Sequence, residues 1–429
     1  MFEKKLESVI GIDTDSGEVH FYLSDRKNEN SIGYFVANCK SQSLNAEFFS
    51  KLSGAMNSFR ESHPEASLQK VALVLSDNNV MTDTVNLPII NRKAMDASLD
   101  ASLNNLYGSG ELKYNRQLAM QNKQFATYVV TGIRKDLLVK LQDAFADNQV
   151  GVSTVTYAAA TTANSAMVLN PKLKNASFVL LDVKETMTRI VFVVKGKTLG
   201  FYSLPFGENV LHQGEVVPED MMFDHPSAEL LVLNAKEKAK AKALTAAEDF
   251  MALPLVDEDA DSSASDEMQQ SDEQDDDEDD EVKAEEIVIS GKLRKKTPRK
   301  LPKYMQRSIP EDAEGIVYEN FRVFVKWTLE LISSNAAITS LGTPEAVYVN
   351  MNDSYSFLYD KVNVDKEEHG ISFLPLSSEK NPIIKGNLEL YGGFFAKQYN
   401  GINNFHATQL DSFKTKHDEH RASVDAKSL

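Results

Sequence analysis

The chain has 429 residues, 42% of them hydrophobic, with 46 Lys and Arg against 63 Asp and Glu for a formal net charge of −17. That length suits a bilobed domain or several smaller ones, and the apolar share allows a sizeable core. The acidic balance excludes a nonspecific nucleic-acid binder, since phosphates are repelled; the lone cysteine, Cys39, excludes an intrachain disulfide or a cysteine-based zinc site and fits a reducing compartment. No apolar run reaches the ~18 residues of a membrane span, and Val9–Ile12 is far shorter than a signal-peptide core. A cytoplasmic protein is expected.

The opening reads as a strand meander. Val9–Ile12, Val19–Leu23 and Gly33–Asn38 are separated by the polar turns Asp13–Gly17 and Asp25–Asn28. Phe48, Phe49, Leu52, Met56 and Phe59 then return at three- and four-residue intervals, predicting a helix over 45–62, and Lys70–Leu75 reads as a buried strand. Residues 76–150 form a unit of their own: strand Met81–Leu87, helix Asn91–Leu106, strands Tyr114–Met120 and Gln124–Ile133, and helix Arg134–Ala146.

At Ala176 the opening pattern returns. Ser177–Leu181 is a strand, Thr188–Val194 a second, and Lys195-Gly196-Lys197 turns into a third, Thr198–Leu204. Val9-Ile10-Gly11-Ile12-Asp13 and Val179-Leu180-Leu181-Asp182 each end a buried strand on an Asp and then enter a hairpin. An internal duplication defines architecture before any single motif does.

Residues 226–246 have helical composition. Asp257–Glu281 is dominated by Asp, Glu and Ser, without Lys or Arg, and cannot bury enough apolar area to offset the entropy of ordering. That block reads as a solvated tether, a contact for a basic partner surface, or a segment that folds back on the basic stretch that follows, 292–307. The basic stretch, broken by Pro298 and Pro302, reads as a contact for the acidic block or anionic lipid. Order resumes with a helix over Val317–Ser333, a strand at Ala346–Met351, Val362 in another strand, and a helix over Leu388–Tyr399. Phe321, Phe324 and Trp327 read as helix core. From His406 the chain is polar.

These stretches resemble the actin-like ATPase superfamily, and within it the PilM branch of type IV pilus assembly, with FtsA and the cytoplasmic domain of GspL more distant. The resemblance rests on Val9–Asp13, on Asp83–Pro88 with the helix led by Asn91-Arg92-Lys93-Ala94, on Thr131–Leu137, and on Val179–Asn209 ending in Ser203-Leu204-Pro205-Phe206-Gly207-Glu208-Asn209. It implies a duplicated ribonuclease-H-like α/β fold with an inserted small α+β subdomain and a disordered acidic insertion. The expected partition is 1–75 first lobe, 76–150 inserted subdomain, 151–246 second lobe, 247–311 insertion, 312–405 remainder of the second lobe, and 406–429 tail.

In that superfamily two hairpins hold nucleotide phosphates, each opening with Asp-x-Gly so that the backbone can approach the anion. The resemblance therefore makes Asp13 and Ser16 in the first turn, and Asp182 and Thr186 in the second, the candidate cofactor-binding residues of a vestigial nucleotide site. The glycines are absent: Asp15 stands in the first turn, Lys184 in the second, and the adenosine-side segment Val349–Ser354 has none. The expectation is a protein without turnover, metal or bound cofactor, ATP and Mg included. The resemblance implies a scaffold at the inner face of an inner membrane, binding a short cytoplasmic peptide of a membrane partner. The alternative is an active actin-like ATPase or sugar-kinase-like enzyme with divergent phosphate loops.

Other patterns carry less. Asp13 and Asp182 also suit simple turn caps after strands. Asp13-x-Asp15-x-Gly17 lacks the Gly and Glu of a calcium loop, with Glu18 and Ser24 at those places. His417 and His420 lie in a polar tail, a poor frame for a metal. No phosphate-binding P-loop, nucleophile elbow or His-Glu-x-x-His occurs.

Overall fold

The computed structural model describes residues 6–14, 16–25, 28–39, 44–89, 91–107, 112–121, 123–223, 308–334, 344–376, 382–399 and 405–406. Asp15, the helix expected at 226–246, the charged block with its basic sequel, and the tail after His406 fall outside these residues.

Apolar residues in short runs build the first sheet. β1 (Leu6–Asp13), β2 (Glu18–Asp25) and β3 (Asn28–Asn38) form the predicted antiparallel meander. Helix α1 (Ala46–Ser62), capped by Asn45 Oδ1 accepting from the Phe48 N–H at 3.0 Å, buries Phe48, Leu52, Met56 and Phe59. β4 (Ala66–Leu75) then pairs parallel with β1.

A three-stranded sheet follows, β5 (Met81–Pro88), β7 (Phe125–Arg134) and β6 (Leu112–Gln121) in that order, with helices α2 (Arg92–Tyr107) and α3 (Lys135–Asp147). The sheet and α2 share a small core of Val85, Leu87, Leu99, Leu103 and Val130, whereas α3 packs Leu137, Leu138, Leu141 and Phe145 into the core of the first sheet. β8 (Val152–Tyr157) pairs parallel with β4, so the first sheet continues past 151, where the second lobe was expected to begin. It leads into α4 (Ala158–Leu169), which is buried on nearly all sides.

The second sheet repeats the first. β9 (Phe178–Val183), β10 (Thr188–Val194) and β11 (Lys197–Leu204) form a meander, and β12 (Ala346–Asn350) and β13 (Ser372–Pro375) extend it in parallel from β9. The two orders, β3-β2-β1-β4-β8 and β11-β10-β9-β12-β13, are the same topology, and the first sheet adds β14 (Phe405–His406) beside β8. Between β11 and β12 come α5 (Glu208–Leu211), α6 (Glu219–Phe223) and α7 (Ala313–Ser334). α7 buries Phe321 and Phe324, and Trp327 donates to Glu219 Oε1 at 2.9 Å.

Two expectations change in the last quarter. Val362 lies in helix α8 (Phe357–Val364), followed by α9 (Lys366–His369), and not in a strand; its apolar neighbours are too few to separate the two periods. The last helix is shorter than expected: after α10 (Pro382–Gly386), α11 spans Leu388–Gly393 and the chain turns from Phe394. Leu388, Leu390, Tyr391 and Phe394 of this stretch pack in the core of the first sheet, so this part of 312–405 returns to the first half. Gly392 permits that return, because a methyl group there would overlap the Thr161 carbonyl of α4.

Candidate functional site

Parallel strands end together, so the residues just beyond β1, β4, β9 and β12 converge, the place where open α/β sheets present ligands. The Ser76 N–H donates to the Ile12 carbonyl at 2.9 Å, which holds the β4 exit against the first turn. Thr14 donates its N–H to Ser76 Oγ at 3.1 Å, and its hydroxyl lies 2.7 Å from that oxygen and donates to Asn78 Oδ1 at 2.7 Å. Asn79 Nδ2 donates to Thr14 Oγ1 at 3.1 Å. The polar groups around the first turn are thus engaged with one another.

Asp13 accepts at Oδ2 from the Ser16 hydroxyl at 2.9 Å, an arrangement that closes its own turn. Asp182 is wholly buried at the end of β9. Its Oδ2 accepts from Arg189 Nη1 at 3.0 Å and its Oδ1 from Asn350 Nδ2 at 2.7 Å, the residue opposite it in the β9–β12 register. Thr186 is exposed in the second turn.

Arg189 is the centre of the arrangement. It sits in β10 among Ile190, Val191, Phe192 and Val193, and a charge in such a strand requires partners. Beyond Asp182, its Nε donates to Asp77 Oδ2. Asp77, in the turn after β4, accepts at Oδ1 from the Ala159 N–H at 2.8 Å, in the first turn of α4 where a carboxylate is favoured. One guanidinium therefore joins the two halves through a carboxylate from each.

Lys184 continues the network. Its Nζ donates to Glu389 Oε2 at 2.9 Å and to the Gly386 carbonyl at 2.8 Å, and lies 3.9 Å from Asp182 Oδ2. Burial, which favours the neutral acid, is outweighed at Glu389 by Lys184 and Arg189, which hold its carboxyl down to about 2. At Lys184, burial works against the charge, while Asp182 and Glu389 raise the ammonium above its ordinary range.

Two cations, Arg189 and Lys184, face three carboxyl groups, Asp77, Asp182 and Glu389, and at Asp77 burial raises the pKa against the pull of Arg189 and the Ala159 N–H. Both cations are committed to the protein's own carboxyl groups. Asp13 closes its own turn, whereas Asp182 is buried in a network that Asp77, Arg189, Asn350 and Glu389 complete. The lone Arg in an apolar strand was the available signal for Arg189.

The Glu389 carboxyl sets a pH dependence. Its folded value lies below the unfolded carboxylate range, so its contribution is complete above about pH 4.5 and is lost as pH falls toward 2. Melting curves of the wild type and Glu389→Gln should differ most near neutrality, with the gap narrowing steadily below pH 4.5. A gap independent of pH would show that the carboxylate charge is not what stabilises the site.

Two tandem sheets of one topology, with a small three-stranded sheet inserted after the fourth strand of the first, define the duplicated ribonuclease-H-like fold of the actin-like ATPases. Solved structures of similar shape include a PilM–PilN type IV pilus biogenesis complex, 12% identical over 91% of this chain and 98% of that one, with a TM-score of 0.46. The cytoplasmic domain of EpsL, an inner-membrane component of the type II secretion system of Vibrio cholerae, is 9% identical over 47% of this chain and 71% of its own, with a TM-score of 0.32. The ethanolamine utilization protein EutJ of Carboxydothermus hydrogenoformans is 9% identical over 90% and 88%, with a TM-score of 0.35. No protein-family model matches the sequence, and no curated protein matches it significantly. Among the described residues, no helix is long and apolar enough to cross a membrane.

Proposed function

We propose that the chain is an actin-like scaffold that does not hydrolyse ATP and that works at the cytoplasmic face of an inner-membrane platform of the type IV pilus or type II secretion kind. The observation that carries the first half is the commitment of Arg189 and Lys184 to the protein's own carboxylates where a phosphate would have to bind. Lys184 itself occupies the place of the glycine that a phosphate-binding turn uses for close approach, and Asp15 does so in the first turn by sequence. The platform, and the short cytoplasmic peptide of a membrane protein as partner, come from the resemblance of the sequence motifs to the PilM branch.

Calorimetric titration of Mg-ATP into the full chain is the test. The expected result is no saturable binding by a folded sample, and saturable binding in the micromolar range would overturn the reading in favour of an active ATPase. The variant Asp15→Gly/Lys184→Gly should bind measurably better than the wild type if those side chains are what excludes nucleotide. Crosslinking in intact cells tests the partner, a single-span membrane protein with a short cytoplasmic segment being the expected adduct.

A further inference from the structure

Beside Lys184, the second hairpin turn carries a different cluster. Lys184 reaches toward Glu389, while the following residue, Glu185, meets Glu208 and His212. Glu208 and His212 stand four residues apart across α5 and so share one face of it. The backbone fixes the juxtaposition: the Glu208 N–H donates to the Lys184 carbonyl and the Asn209 N–H to the Glu185 carbonyl, each at 2.8 Å. Gly207 allows it, since a methyl group there would overlap the Lys184 carbonyl.

We infer that Glu185, Glu208 and His212 form a binding site for a divalent transition-metal ion such as Zn²⁺. One ligand atom from each lies within 4.8 Å of the other two, and the exposed Glu185 and His212 can close the remaining distance by small rotations. An imidazole nitrogen with two carboxylate oxygens is a donor set for zinc or manganese, with open positions left for water.

Two further observations point to a ligand. His212 Nδ1 lies 2.7 Å from the Tyr355 hydroxyl, the outer partner that a metal-binding histidine characteristically has. With Nδ1–H donating to that hydroxyl, the Nε2 lone pair faces Glu185 Oε2 at 4.0 Å. Glu208, in turn, is a buried carboxylate held at Oε1 by the Asn352 N–H at 2.6 Å, with Glu185 beside it. Lys385, a nearby cation, is itself paired with Asp353. A cation between the two carboxylates would offset their mutual repulsion and clamp the hairpin turn to α5.

The experiment uses the full chain, stripped with a chelator and titrated with Zn²⁺ by calorimetry, with thermal melting alongside. The expected result is a saturable site of one ion per chain that raises Tm. Glu185→Gln/His212→Ala should weaken it at least about tenfold and abolish the rise, with circular dichroism unchanged, and Tyr355→Phe should weaken it by about tenfold. Absence of saturable binding overturns the inference. So does binding that survives Glu185→Gln/His212→Ala and disappears instead when residues 257–281 are deleted or His417 and His420 are replaced, since the ion would then belong to the acidic block or the tail.

Discussion

Replacing Arg189 by methionine should destabilise the protein by about 3–5 kcal/mol, the cost of removing one partner from a buried ion pair. The size follows from what is left behind. Asp182 is wholly buried and would keep Asn350 as its donor, with Lys184 at 3.9 Å too distant to replace the guanidinium contact. Asp77 would keep only the Ala159 N–H. Urea unfolding of the wild type and variant measures the difference. Adding Asp182→Asn to Arg189→Met should recover part of the loss, because the buried charge left unpaired is then removed. A single-variant loss below about 1 kcal/mol, the level of an exposed pair, would mean that the network is hydrated and does not tie the halves together.

Gly392→Ala should cost about 3 kcal/mol, at the upper end of what overpacking a core costs. The added methyl has no flexible side chain to displace, only the Thr161 backbone carbonyl and the nearby Ser165 hydroxyl. That hydroxyl also donates to the Leu388 carbonyl, so α11 would lose the bond that seats it as well as the close fit. Gly386→Ala is the control, since nothing lies within 4 Å of a methyl placed there, and it should be close to neutral. Hydrogen exchange should show the amides of Leu388–Phe394 losing protection in the first variant and keeping it in the second.

The duplicated architecture was legible because each half opens with a meander of short apolar strands ending on an Asp, and hairpins are local. The same locality made Asp13 and Asp182 visible. The network was not legible, since its members stand at 77, 182, 184, 189, 350 and 389, and only the fold brings them together. Lys184 was noticed for the glycine it replaces, but nothing near it in sequence announces Glu389. β8 and α4 escaped for another reason. Ala158-Ala159-Ala160 and the rest of α4 are buried almost all round, so the helix shows no polar face and no amphipathic period. Val362 illustrates the limit of a short apolar run, which fits a strand or a helix equally well until its neighbours are known.

The seating of α11 in the first core has a consequence for the order in which the molecule can be made. A chain emerging from the ribosome presents β1, β4, β8 and α4 more than ~200 residues before Leu388 and Leu390 exist to cover them. The first half is therefore translated early and completed late, with an apolar face waiting through the synthesis of the whole second half. Such long-range closure slows folding and leaves a nascent surface for chaperones to hold. A nascent chain halted before Leu388 should remain protease-sensitive in its first half, and one extended past Phe394 should become resistant as a unit.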